Sequence, residues 1–340
     1  MKSIKRICAV LIGIVLLLAG LLKLMDPVGA SLVAAEYLNF LGLDFLSPAA
    51  SFFGVAMSML EAVLGAALIT GIWPRLTAVA TGILIGGFTV LTIILTIANP
   101  PMDCGCFGEA IHLTHTQTLM KNVVLCVLWL LAFIPFKCVL KPLKIKYVSF
   151  GIAVLSIILF TIYSLISIPG MDFTSFKPGA LLMQAQETPS EDAPLLSICD
   201  ADGEYCDELL ADGSWLVVSV FDREDLSEAA EKDIAELCSA FSGSAARPLV
   251  LLSDGSLDGR ESYTSDRRTL MTLNRSNGGV TLISSGTVIS KWPRRSYPSP
   301  EVVQAILEQD VAEAVVQENT PKRFKLQGFL LYLFAVVLLL

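Results

Sequence analysis

Five long apolar segments constrain the fold of this chain more than any other feature of its sequence. A helix needs roughly 20 apolar residues to cross a hydrocarbon core of about 30 Å. The five segments are residues 7–25, 52–72, 76–98, 118–136 and 147–168. Since only 16% of the 340 residues are charged, too few polar side chains exist to cover an ordinary soluble globule. A wholly soluble protein and a disordered protein are therefore excluded.

A sixth apolar segment, residues 326–340, is shorter than the other five. It allows two interpretations, the start of a sixth membrane helix or an interfacial anchor. The first segment follows Lys2, Lys5 and Arg6, as the apolar part of a signal peptide would, but no small-residue cleavage site comes after it. We therefore expect an uncleaved first span.

The distribution of basic residues predicts the orientation of the spans, because the Lys and Arg residues of short loops stay in the cytoplasm. Arg75 and the lysines of residues 137–146 fall on the same side as the basic N-terminus. The other two loops, residues 26–51 and 99–117, contain five acidic residues and no Lys or Arg. We expect these loops, and everything after the fifth span, outside the cytoplasm of a cell inner membrane.

The second half of the chain has a different physical character. Residues 170–320 carry a net charge of −15, against +4 for residues 1–169. An acidic surface repels phosphate groups, which argues against a nucleic-acid partner. The predicted organisation is a four-helix transmembrane domain (1–136), a basic loop with a fifth span (137–169), a linker (170–193), an acidic soluble domain (194–320) and the sixth segment (326–340).

Alternating and helical apolar patterns predict an α/β fold for the soluble domain. The expected elements, in order, are a strand at 195–198, a strand at 215–221, a helix at 224–241, a strand at 248–252, a helix at 267–274, and strands at 280–283 and 287–292. This order resembles a thioredoxin-like domain, and GVTLISSGTVISKW (279–292) is similar to the last hairpin of that family. The family's Cys-x-x-Cys position here reads FDREDL (221–226), and Gly278 stands at the position of its cis-proline. The resemblance thus implies that the soluble domain has the thioredoxin-like fold without the dithiol site, and that its role is structural or substrate-presenting.

The chain contains eight cysteines, and their surroundings suggest different roles. Thiols in or beside apolar spans behave as small apolar groups. Three cysteines occupy such positions: Cys8, Cys126 and Cys138. Cys199 and Cys206 flank a turn in a compartment where disulfides persist, so they are candidates for a structural disulfide, with simple burial as the alternative. Cys238 lies on a predicted helix and is expected in the core.

The segment PPMDCGCFGE (100–109) is the strongest functional candidate. Its prolines and glycines end the third span and force a tight loop that contains Cys104 and Cys106. Cysteines two residues apart can just reach disulfide geometry, and a strained disulfide is readily reduced. This property suits a thiol exchanger. Asp103 and Glu109 add negative charge, which predicts that a thiolate is disfavoured here.

Three further ionisable residues accompany this loop. His112 and His115 lie within ten residues after Cys106. With Cys104 and Cys106 they are candidates for a Zn²⁺ or Cu(I) site; the alternative is that they belong to the polar residues that cap the fourth span near Thr114. Glu61 lies within the second span, where an ionisable group is rare and lines a bundle interior. Glu61 lies about ten residues below the outer face of the membrane, whereas Lys23 lies near the outer end of the first span, so we expect the two side chains not to touch. Glu61 has two possible roles: a structural polar contact, or a role in proton transfer or quinone binding.

The first four spans resemble the membrane family that contains DoxX and the methylamine-utilisation protein MauE. The similar residues are AGLLKLMDPVG (19–29), Glu61 with Leu64 and Gly65, and CGCFGE (104–109). The resemblance implies a four-helix membrane bundle with a thiol-redox role, in which Cys104 and Cys106 are the reactive pair and a quinone is a candidate cofactor. Methylamine metabolism itself does not follow, because the soluble domain lies outside the four-helix core.

Three functions remain open at this point. The first is thiol exchange with an extracytoplasmic protein, or electron transfer to a membrane carrier. The second is a metal-handling membrane protein that uses Cys104, Cys106, His112 and His115. The third is a non-catalytic assembly or maturation factor in which the cysteines are incidental. Whether the chain is an enzyme is not decided by the sequence.

Overall fold

The computed structural model describes residues 2–100, 102, 104–134, 142–186, 193–254 and 263–339. The chain divides into two compact units. The membrane unit comprises Met1–Leu165 with Gln327–Leu340, and the α/β unit comprises Ile166–Leu326. The membrane unit is mostly helical and the α/β unit contains a five-stranded mixed sheet. The predicted fold class, a mainly α membrane region followed by an α/β region, is confirmed.

Each of the five predicted spans corresponds to a helix long and apolar enough to cross a membrane. The helices of the membrane unit are α1 (Lys2–Met25), α2 (Pro27–Phe40), α3 (Ala50–Thr70), α4 (Pro74–Ala98), α5 (His115–Phe133) and α6 (Lys144–Ile166). All but α2 contain a candidate span. The sixth predicted segment forms the end of α10 (Val311–Leu339), whose last 18 residues still include Lys322, Arg323 and Lys325. No candidate span is found in this helix among the described residues.

Helix α2 lies in a segment that the sequence analysis treats as a loop. Asp26 caps it by accepting a hydrogen bond from the Gly29 backbone N–H at 3.0 Å, and Pro27 occupies its first turn. An aspartate followed by proline is a typical helix start, since proline needs no hydrogen bond at that position. A Cβ added at Gly54 would lie 2.7 Å from the Ala30 carbonyl oxygen, so the start of α2 packs closely on the first turns of α3.

Glycines bring α1 and α3 into direct backbone contact. A Cβ added at Gly65 would lie 2.4 Å from the Leu17 backbone nitrogen, and one added at Gly20 would lie 2.5 Å from the Ala62 nitrogen. Small residues at such crossings let membrane helices approach closely, which strengthens van der Waals packing where no hydrophobic driving force operates. The crossing therefore fixes the depth of α1 residues relative to α3 residues.

The α/β unit contains the predicted alternation of strands and helices. Its elements include β2 (Ser214–Val220), α7 (Glu228–Ala240), β3 (Arg247–Leu252), β4 (Tyr263–Thr264), α8 (Arg267–Leu273), β5 (Gly279–Ser284), β6 (Thr287–Trp292) and α9 (Pro300–Leu307); β1 (Cys106–Glu109) belongs to the membrane unit. The sheet order is β4-β3-β2-β5-β6. Strand β2 is parallel to β3 and antiparallel to β5, which in turn is antiparallel to β6. Buried Leu216, Val218 and Leu282 pack with Ile234 and Phe241 in its core.

Three predictions in this unit need correction. Residues 195–198 form no strand: Ser197 has a φ of +53°, and the Ile198 carbonyl accepts from the Cys206 N–H, while the next residue, Cys199, makes an isolated bridge to Thr264 of β4. Helix α7 starts later than predicted because Ser227 caps it. Residues 170–186, predicted as a linker, pack on β6, where the Gly179 N–H donates to the Val288 carbonyl at 2.7 Å. Residues 187–192 of that linker lie outside the described residues.

The close crossing of α1 and α3 predicts a stability difference between two glycine substitutions. Gly65→Ala places a methyl group against the Leu17 backbone and should destabilise the membrane unit by about 1–3 kcal/mol. Gly87→Ala on α4 meets no atom within 4 Å and should be neutral or stabilising by up to about 1 kcal/mol. Thermal unfolding of both variants in detergent measures the difference. Equal stability would contradict the described crossing.

Candidate functional site

The loop between α4 and α5 is shaped by special backbone conformations. Asn99 ends α4 with a φ of +43°. Thr114 begins α5 through a reciprocal capping box with Gln117, as the capping interpretation predicts. Between the two cysteines, Gly105 has a φ of +56°, and a Cβ added there would lie 2.3 Å from the Val33 side chain. Both the left-handed conformation and the contact with α2 therefore require glycine at this position.

Cys104 and Cys106 lie side by side in this loop. Their sulfur atoms are 3.5 Å apart, and both are free thiols in the structure. Cys104 is only 3% exposed, whereas Cys106 is half-buried. The structure thus confirms that the two cysteines are neighbours and gives them unequal access to a partner.

The cysteines lie at a cavity of about 260 Å³ inside the membrane unit. Helices α1 to α5 all contribute to its walls, which are mainly apolar. Six polar residues that matter for its chemistry also line it: Lys23, Tyr37, Glu61, Cys104, Cys106 and Lys121. A largely apolar pocket with a few convergent polar groups is the usual form of a small-molecule site, and this cavity is slightly smaller than the roughly 300 Å³ at which such sites begin.

Lys23 and Glu61 form a buried ion pair, which corrects the prediction that they do not touch. The Lys23 Nζ donates to the Glu61 Oε1, and the two side chains are only 13% and 2% exposed. The depth count was wrong because it assumed that both spans end at the same level. In the structure, α3 continues past the end of α1 to pack on α2. Gly20, one turn before Lys23, meets Ala62, so the lysine lies at the depth of the glutamate.

Lysines make the surroundings of Cys106 favourable for a thiolate. The hydrogen bond between the two thiols, together with the positive charges of Lys121 and Lys23, lowers the pKa of the Cys106 thiol in spite of its burial. The prediction that Asp103 and Glu109 disfavour a thiolate left out Lys23 and Lys121, and it stays a prediction. Asp103, one of those acidic neighbours, lies outside the described residues.

Cys104 has the opposite electrostatic character. Its hydrogen bond to Cys106 and its burial raise the pKa of its thiol, so it keeps its proton. Tyr37 on α2 holds the residue in place, since its hydroxyl donates to the Cys104 carbonyl oxygen and lies 3.8 Å from the Cys104 sulfur. Burial raises the pKa of Tyr37, so its hydroxyl stays protonated and able to donate.

The histidines are not gathered around the cysteines. His115 is buried at the start of α5 with its Nε2 3.2 Å from the Pro100 carbonyl oxygen, where it holds the loop, and His112 is exposed. Over the part of the chain that the structure describes, no group of three or more His, Cys, Asp or Glu side chains could hold a metal ion. The proposed metal set of two cysteines and two histidines is thus not assembled.

The other cysteines lie elsewhere. Cys199 and Cys206 are free thiols on facing backbone segments, where Cys199 forms an isolated bridge with Tyr205, so their disulfide stays a prediction. Cys8 is buried in the packing of α1, and Cys126 lies 3.4 Å from the Thr89 hydroxyl. Cys238 packs against the core of the α/β unit, as expected. Cys138 lies outside the described residues.

Sequence reasoning missed two residues of this site. Lys121 lies on a candidate span and lines the same cavity as Cys106, and its Nζ lies 5.0 Å from the centre of the Phe107 ring. A lone cation in an apolar span is as unusual as Glu61, so the same argument would have found it. Tyr37 had no such signal, because its role depends on the packing of α2.

The fold and the cavity together define a class: the chain is a multi-pass helical membrane protein with a buried ion pair and a pair of thiols at one cavity. Residues 1–135 match the family model described as methylamine utilisation protein MauE. The match covers α1 to α5 and therefore the whole cavity, and less than half of the chain. No curated protein and no solved structure matches the chain.

The buried ion pair predicts a large cost for losing one partner. Lys23→Met leaves the Glu61 carboxylate buried without its cation and should destabilise the membrane unit by about 3–5 kcal/mol. The double variant Lys23→Met with Glu61→Gln removes both charges and should recover most of this loss. Equilibrium unfolding in detergent measures both variants. A single variant as stable as the native protein would contradict the pairing.

The charges around Cys106 predict a pH dependence of its reactivity. Only the thiolate is alkylated, so a lowered pKa keeps Cys106 reactive well below pH 8. Lys121→Gln removes a positive charge, which raises the pKa, and below that pKa each unit of rise lowers the alkylation rate about tenfold. Site-resolved mass spectrometry of iodoacetamide labelling between pH 5 and pH 9 measures the profile. Lys144→Gln, at an exposed position of α6, is the control and should leave the profile unchanged.

Proposed function

We propose that the membrane unit exchanges disulfides with extracytoplasmic proteins through Cys104 and Cys106. The observation that carries the proposal is the close and unequal pair: the two sulfur atoms are 3.5 Å apart, and Cys104 is buried while Cys106 is half-buried. Both lie at a cavity with two lysines, whose charges favour a thiolate at Cys106. An exchanger needs one thiolate to attack and a second thiol to resolve the mixed disulfide. A structural disulfide needs neither property.

In the direction that reduces the partner, the exchange starts from a disulfide in the partner protein. The Cys106 thiolate attacks one sulfur of the partner disulfide, and the other partner sulfur leaves as a thiolate. Cys104 then loses its proton and attacks Cys106, which releases the second partner sulfur. The products are a Cys104–Cys106 disulfide and a partner with one thiol and one thiolate, so that atoms, charge and two electrons balance. The reverse sequence oxidises a dithiol partner.

A quinone is the electron carrier that we propose for the cavity. The fit rests on the mainly apolar walls and on the two thiols at the cavity, because a lipid-soluble ring needs both apolar enclosure and contact with the redox pair. A quinone there would take up the two electrons released when the pair becomes a disulfide. In this arrangement Lys23 and Lys121 supply hydrogen-bond donors at the cavity, and Glu61 holds Lys23 in position.

The orientation proposed for the spans follows the positive-inside rule. It puts the Cys104 loop outside the cytoplasm, together with the α/β unit. Lys137 and Lys141, which contribute to this argument, lie outside the described residues. Such a compartment suits disulfide chemistry, because thiols in the cytoplasm are kept reduced.

We propose that the α/β unit is thioredoxin-like and presents the partner without taking part in redox chemistry. The order β3-β2-β5-β6, with one parallel and two antiparallel pairings, supports that scaffold. At the usual dithiol position Asp222 instead pairs with Arg267 at 2.9 Å. Gly278, at the proposed cis-proline position, has a φ of +76°, which a proline cannot adopt.

Trapping of mixed disulfides tests the exchange. Cys104→Ala removes the resolving thiol, so it should accumulate mixed disulfides through Cys106, whereas Cys106→Ala should accumulate few because Cys104 is protonated and buried. Cys126→Ala is the control and should behave as the native protein. Non-reducing electrophoresis of native membranes with mass spectrometry identifies the products.

Two results of this experiment would contradict the exchange. One is the absence of mixed disulfides from both single variants. The other is normal maturation of extracytoplasmic proteins with the double variant Cys104→Ala, Cys106→Ala. The second result would favour the non-catalytic assembly factor, which does not need the thiols.

A further inference from the structure

Four charged or chargeable groups meet at the cavity, and in the reduced protein they form a balanced set. Lys23 and Lys121 supply two cations, and Glu61 supplies one anion. The second anion is the thiolate of Cys106, which lines the same cavity as both lysines and whose negative charge their positive charges favour. Unpaired charges in an apolar interior are costly, so this balance stabilises the reduced state.

Formation of the disulfide removes one of these charges. The Cys106 thiolate and the Cys104 thiol become a disulfide, one proton is released, and two electrons pass to the oxidant, which is a partner disulfide in the exchange above. Glu61 still pairs with Lys23, but the second anion that balanced the two lysines is gone. Among the described residues that line the cavity, two lysines then face one carboxylate, so one positive charge is left without a balancing anion in mainly apolar surroundings.

The rim of the cavity indicates where a compensating ligand enters. Phe53 and Met57 line the cavity and are each 38% exposed. Both lie on the candidate span Asp44–Thr70, so their exposed surfaces face hydrocarbon in a bilayer. A ligand that reaches the cavity by this route must be soluble in lipid, and one that compensates Lys121 must be anionic.

We propose that the cavity binds an amphiphile with a single anionic oxygen group, such as a carboxylate or an ionised phenol, and that it does so mainly when Cys104 and Cys106 form a disulfide. The anionic oxygen takes the place of the Cys106 thiolate beside Lys121, and the apolar part lies along the walls toward Phe53 and Met57. This inference rests on the redox cycling of the pair in the proposed function. It adds a ligand class and a link between thiol state and ligand affinity.

Equilibrium binding to the full chain in nanodiscs of zwitterionic lipid tests the inference. The probes are dodecanoate, an ionised hydroxynaphthoquinone and, as the uncharged control, dodecanol. The protein is oxidised with diamide or reduced with a phosphine, and empty nanodiscs correct for partition into lipid. We expect at least one anionic probe to bind the oxidised protein tenfold or more tightly than the reduced protein, and dodecanol to show no difference. The probe with the larger difference identifies a chain or a ring as the ligand.

Variants separate the charge effect from a change of shape. Lys121→Gln should abolish the redox difference, and Lys121→Arg should retain it because the charge is kept. The double variant Cys104→Ala, Cys106→Ala has no thiolate, so it should bind the anionic probe tightly under both conditions. Lys144→Gln is the matched control, a lysine away from the cavity.

Equal affinities in the two thiol states, for both anionic probes, would overturn the inference. A redox difference that persists in Lys121→Gln would overturn it as well. Because the oxidant in this assay is chemical, the binding result does not depend on a protein partner. Failure of the proposed exchange, seen as absent mixed disulfides, is therefore distinguishable from failure of the ligand site.

Discussion

The buried ion pair of Lys23 and Glu61 is the interaction on which the membrane unit depends. Two ions inside an apolar bundle are tolerated only when they meet directly, so their contact fixes how far α1 is displaced along α3. Glycines at the crossing make this displacement sterically feasible, and α2 packs on the part of α3 that extends past α1. The ion pair lines the cavity together with residues of α2 and of the loop that contains Cys104 and Cys106.

The two cysteines gain different chemistry from that arrangement. Cys106 lies near Lys23 and Lys121 and is stabilised as a thiolate, while Cys104 is enclosed beside Tyr37 and keeps its proton. The roles of attacking and resolving thiol in the proposed exchange rest on this difference in surroundings. Two chemically identical residues separated by one glycine are made unequal by the helices around them.

Much of the fold could be predicted from local patterns. Length and apolar content gave the five spans, and alternation gave the hairpin of β5 and β6, because both properties act over neighbouring residues. Residues 195–198 were assigned a strand from composition, but Ser197 has a left-handed conformation and the chain meets β4 only through an isolated bridge at the next residue, Cys199. The candidate site was only half predictable. Cys104 and Cys106 were found from their spacing, whereas the contact of Lys23 with Glu61 depends on the relative depth of two helices, which no local pattern contains.

Gly105 sets a limit on how this loop can be redesigned. A Cβ added at Gly105 would lie 2.3 Å from the Val33 side chain, so the backbone between the thiols has no room for a larger residue on the side of α2. Lengthening the Cys-Gly-Cys motif to the Cys-x-x-Cys of soluble oxidoreductases would push the inserted residue into that helix. The longer motif would therefore require a smaller side chain in place of Val33, so the cysteine loop and α2 would have to be changed together.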